Sequence, residues 1–70
     1  MTYMLWMMTD MKKPLADNIR QALDYHTKKY GTPPNIVEHS NQLSGVSNVD
    51  GVEFVSIQIP RNILLIGVKS

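Results

Sequence analysis

A run of seven residues, Lys28-Lys29-Tyr30-Gly31-Thr32-Pro33-Pro34, limits the fold of this chain more than any other stretch. Gly31 suits the left-handed conformation that closes a helix. Pro33 and Pro34 cannot continue a helix, and they push the residues before them toward extended geometry. The run therefore ends a helix, turns the chain and begins a strand.

The helix it ends is predicted from about Pro14 to Tyr30. Proline is tolerated at the first helical position, where its missing N–H has no partner to lose. Leu15, Ile19, Ala22, Leu23, His26 and Tyr30 recur at three- and four-residue steps and form one apolar stripe. Asp17, Asn18, Arg20, Gln21, Asp24, Thr27 and Lys28 fill the other side. Asp17 near the start and Lys28-Lys29 at the end both suit the helix dipole. Asp24 and Lys28 have the spacing of an i,i+4 ion pair.

Strands are expected on both sides of this helix. In Thr2 to Thr9, Tyr3, Leu5 and Met7 would share one face, and Met4, Trp6 and Met8 the other. A strand apolar on both faces asks for burial on both. The competing reading takes residues 1–10 as an extension ahead of a start at Met11. After the helix, Asn35 to His39 reads as a short strand and Ser40 to Ser47 as a loop. Asp50-Gly51 is a tight-turn signal that joins a short strand at Val46–Val49 to the next one. Val52 to Ile59 changes phase midway, since Val52 and Phe54 share one face and Val55, Ile57 and Ile59 the other. Either a bulge near Phe54–Val55 or burial on both faces reconciles this. Pro60-Arg61-Asn62 turns the chain into a last strand, Ile63 to Val68.

The expected fold class is α+β in the order β-α-β-β-β: one amphipathic helix on one face of a mixed or antiparallel sheet of about three to four strands, ending in a hairpin. If the strands flanking the helix are parallel, their connection is a right-handed crossover. Seventy residues make a single small domain, residues 1–70. A chain of this size buries only about 60% of the surface its unfolded form exposes. It has no cysteine, so neither disulfides nor thiolate metal sites can reinforce it.

One helix covers one sheet face, yet several strands are apolar on both, most plainly at Ile63-Leu64-Leu65-Ile66. At about 25 cal/mol per Å² of apolar surface, leaving the second face wet is costly. The expected cover is a second copy of the chain or another protein, with Trp6, Phe54, Val55, Ile57, Ile63 and Leu65 as candidate interface residues. The alternative is that loop 40–48 and the N-terminal residues fold over that face.

The sequence is poor in chemistry. His26 lies on the apolar stripe, and the ordinary role of such a residue is a part-buried ring with one hydrogen bond. Glu38 and His39 are neighbours in a strand, so they point to opposite faces. Metal binding needs three or four converging ligands, and no ligand spacing is present. Ser40, Ser44, Ser47 and Ser56 lie in no nucleophile elbow. Asp50 and Glu53 flank a turn and read as solvated, and the glycines are isolated, so no phosphate loop forms. Met1, Met4, Met7, Met8 and Met11 are spaced like a soft thioether array for Cu(I). The interleaved Tyr3, Leu5 and Trp6 favour core filling instead.

The net charge of +1, from seven basic and six acidic residues, is no footprint for nucleic acid. The apolar start, MTYMLWMM, is far short of the roughly 20 residues of a membrane helix, and it lacks a signal peptide's basic start. These features point to a non-enzymatic cytoplasmic protein that needs no cofactor, self-associates or docks on a protein, and does not enter membranes. The alternative is a small dimeric nucleic-acid-binding regulator, whose Lys12, Lys13, Arg20, Lys28, Lys29 and Arg61 line up only if a dimer gathers them.

Overall fold

A computed structural model describes residues 3–46 and 49–69. Its elements run β1 (Tyr3–Met7), α1 (Leu15–Tyr30), β2 (Ile36–Ser40), β3 (Glu53–Ile57) and β4 (Ile63–Gly67). The strands form one four-stranded mixed sheet in the order β1-β4-β2-β3. The fold is α+β, with one helix against one face of the sheet. Residues 3–7 are a paired strand of that sheet, not an extension ahead of it.

The helix ends as the sequence requires. Gly31 is left-handed, with φ 71°, and its N–H bonds the Thr27 carbonyl at 2.8 Å. At the other end Pro14 is the residue just before the helix, and its side chain makes no cap. Two expectations for the helix surface need correction. Asn18, placed on the polar side, is buried, and its Nδ2 donates to the Asp10 carbonyl at 3.1 Å, tying the helix to the turn before it. Tyr30, placed on the apolar stripe, is half exposed. Among the described residues the ion pair on the helix is Arg20–Asp17, at 4.0 Å, and not Asp24–Lys28.

The expected terminal hairpin is not formed. β3 pairs with β2, in parallel, and β4 lies between β1 and β2, antiparallel to both. β1 and β2 therefore run parallel with β4 inserted between them, which makes a split β-α-β unit. The parallel β2–β3 pair needs a long return, and residues 41–52 supply it. The register of Ile36–Ser40 on Glu53–Ile57 is continuous, so the change of phase around Phe54 reflects partial burial on both faces rather than a bulge. Val46 and Val49 belong to no strand, and residues 47 and 48 of that expected strand lie outside the described residues.

The register sorts the side chains cleanly. Met4, Ile66, Val37 and Phe54 form one row across the sheet, and Trp6, Leu64, His39 and Ser56 the next. Ile19 and Ala22 of α1 pack on these rows, together with Met8, to make the core. Leu43 and Val46 of the return loop pack on the same core. Loop and helix thus share one face, and the described part of loop 40–48 does not cover the other.

Candidate interaction surface

Residues that alternate with the core rows occupy the second face. Its middle row is Leu5, Leu65, Glu38 and Val55 across the four strands. Met7 and Ile63 lie to one side of that row, with Ile57 on β3. Leu65, Val55, Ile57 and Ile63 are half-buried, and Leu5 and Met7 are the most exposed large apolar residues, at 59% and 55%.

The six expected interface residues therefore do not form one surface. Val55, Ile57, Ile63 and Leu65 share the open face. Trp6 and Phe54 lie on the covered face and pack against the core. Leu5 and Met7 were not among the six. They are exposed because β1 is an edge strand, and edge position is set by strand order, not by local sequence.

One charge interrupts the open face. Glu38 sits at its centre, and the Tyr3 hydroxyl donates to Glu38 Oε2 at 2.6 Å. To reach β2 from β1 the phenol must cross β4. Gly67, directly opposite Tyr3, puts no side chain in the way. The bond to the carboxylate, with partial desolvation and the negative charge of Glu38, holds the Tyr3 phenol above its ordinary value of 10.0.

The two edges of the sheet differ. The N–H of Met8 bonds the Asn62 carbonyl at 2.7 Å, continuing the β1–β4 ladder. Antiparallel bonding alternates, so Met4, Trp6 and Met8 turn their backbone groups toward β4. Tyr3, Leu5 and Met7 then turn theirs outward. Across the sheet, Glu53 N–H bonds Asn35 O and Asn41 N–H bonds Ile57 O, which leaves Phe54 and Ser56 as the outward residues of β3. β3 also carries Glu53, whose carboxylate accepts from Lys69 Nζ at 2.6 Å. Lys69 is held there by Asn35, whose side chain bonds both its N–H and its carbonyl.

Apolar side chains gather at the β1 edge on the helix side as well. Tyr25 lies against Trp6, with ring centroids 5.1 Å apart. Tyr3, Met4, His26, Tyr30, Thr32 and Val68 line an open depression of about 390 Å³ at the same edge. Its buried histidine matches the expected role: His26 Nδ1 lies 3.0 Å from the Thr32 carbonyl and donates to it, and the ring packs at a tilt of 48° against Tyr30. His39 is buried on the covered face, opposite to Glu38, with Nδ1 bonded to the Ser40 carbonyl.

Other expected constellations are dispersed. Met4 and Met8 are buried in the core, Met7 lies on the open face and Met11 on the surface, so these methionines do not converge. Met1 lies outside the described residues. Among the described residues no three of His, Asp and Glu approach closely enough to hold a metal ion. Lys13 and Arg61 border one shallow depression beside Gln42, whereas Lys28 and Lys29 lie in the last turn of α1. No helix among the described residues is long and apolar enough to cross a membrane. The chain matches no protein-family model, no curated protein and no solved structure.

Proposed function

We propose that this chain is a small non-enzymatic interaction module, completed by association with a second copy of itself. The observation that carries the reading is the uncovered side of the sheet around β1, where Leu5 and Met7 are more than half exposed beside Leu65 and Ile63. A domain of this size has little burial to spare. Covering Leu5 and Met7 at about 25 cal/mol per Å² adds stabilisation that one copy lacks. No group of side chains described above combines a nucleophile, a base and an orienting partner, so the reading assigns no reaction.

Sedimentation velocity on the full chain from low micromolar to millimolar concentration tests this. A concentration-dependent rise to a dimer is expected. A monomer throughout would end the reading.

A further inference from the structure

We infer that two copies join edge to edge through β1, antiparallel about a two-fold axis at Leu5, so that each four-stranded sheet becomes half of a continuous one. The inference rests on the self-association proposed above and specifies its geometry.

The first reason is a mismatch between the composition of β1 and its position. Tyr3-Met4-Leu5-Trp6-Met7 is apolar on both faces and contains no charge and no proline. Among the described residues the only other strand so composed is β4, Ile63-Leu64-Leu65-Ile66-Gly67, which is flanked by strands on both sides. Sheets protect real edges with charge, proline or short strands. β3, as short as β1, adds the Glu53–Lys69 pair, whereas β1 adds neither charge nor proline. β1 is an edge strand in one copy with the sequence of an interior strand.

The second reason is that the edge is self-complementary. Its outward backbone groups belong to Tyr3, Leu5 and Met7. In a two-fold pairing, Leu5 exchanges N–H···O=C bonds with the partner's Leu5, and Tyr3 exchanges them with the partner's Met7. Every outward group of β1 is then satisfied. On the open face Leu5 meets the partner's Leu5, and Met7 lies beside the partner's Tyr3. On the helix side Trp6 lies beside the partner's Met4, with Tyr25 over the seam. The main backbone approach of α1 to the sheet is at β4, inside the edge strand.

The third reason concerns the other way two sheets could meet. Stacking the open faces would bury Glu38, whose side-chain partner here is the Tyr3 hydroxyl. Burying a carboxylate without a cation costs several kcal/mol. Edge pairing leaves Glu38 where it is.

Amide hydrogen exchange on the unmodified chain reads this directly. In the associated state the Leu5 and Met7 amides should slow by about tenfold or more relative to the dilute chain, because their N–H groups gain partners. The Trp6 amide, already bonded to β4, is the internal reference. Leu5→Pro removes an outward N–H while sparing the β4 ladder. It should give a folded monomer, whereas Leu65→Lys on the open face should still dimerise. Association with no slowing at Leu5 and Met7, or a dimer broken by Leu65→Lys and not by Leu5→Pro, overturns the edge geometry and leaves self-association standing. A chain monomeric at every concentration overturns both.

Discussion

The two edges of the sheet face the same problem and solve it differently. β3 turns few backbone groups outward, starts with a charged residue and is held at that end by Lys69 and Asn35. β1 offers a row of outward groups flanked by exposed leucine and methionine. The difference lies in long-range placement, since both are short strands of five residues. An edge strand left apolar on both faces is a cost in one copy and a contact surface in two.

The largest effect should come from the strand that both edges depend on. Leu64 is fully buried between Trp6 of β1 and His39 of β2. Leu64→Ala should lose about 2–5 kcal/mol by chemical denaturation, in one transition that takes both edges together. Two separate transitions would show that the edges are independent, and the comparison would need recasting.

A charge placed on each edge should then separate them. Leu5→Lys should weaken self-association about a hundredfold, or ~2.7 kcal/mol, by analytical ultracentrifugation. Ser56→Lys, a charge on exposed β3, should leave it within about twofold. Equal effects would mean that the edges do not differ in use.

A smaller effect is expected where the bare edge is tied to the centre of the sheet. Tyr3→Phe should lower stability by less than Leu64→Ala, because it removes a single hydrogen bond and no packing, as chemical denaturation would show. The pH dependence has a definite sign. The folded state holds the phenol above 10.0, so the protonated form is favoured by folding. This contribution is complete below that value and is lost as pH rises through the higher folded one. Ultraviolet titration should find Tyr3 returning toward 10.0 in Glu38→Gln.

The smallest change should follow loss of the guard on β3. Glu53 and Lys69 are each about half exposed, with side-chain values of 52% and 50%. Glu53→Gln should therefore shift stability by no more than about 1 kcal/mol. Thermal unfolding would check this. The oligomeric state should not change, and a larger assembly would show that this charge pair alone keeps β3 unpaired.

Local features of the fold were legible because local chemistry sets them. Gly31 and the prolines stopped the helix where expected, and alternation in β1 assigned its two faces correctly. Strand order was harder. The short link at Pro60 suggested a hairpin, yet pairing is decided by which strands can be buried on both sides. Ile63–Ile66 was the plainest such strand, and that was a signal for the centre of the sheet. The same signal in β1 pointed to an interior place that one chain does not provide. Asn18 was misplaced because its amide serves the Asp10 carbonyl, a need invisible to hydropathy. Val55, Ile57, Ile63 and Leu65, expected from sequence as interface residues, share the open face of the sheet, whereas Trp6 and Phe54 of the same six do not. Leu5 and Met7 could be recognised as exposed only once β1 was known to be an edge.

The position of β4 also has a consequence for when the molecule can form. Among the described residues it is the last of the four strands in chain order and the one that pairs with β1. A growing chain therefore makes β1, α1, β2 and β3 before the strand that joins them exists. Until residues 63–67 emerge, the ladder that β1 makes with β4 cannot form. Closing the loop between Met7 and Ile63 must come first, and so long-range a pairing favours slow assembly. An apolar strand without its ladder is open to wrong pairing, and β4 closes one of the two edges of Tyr3–Met7 while leaving the other bare.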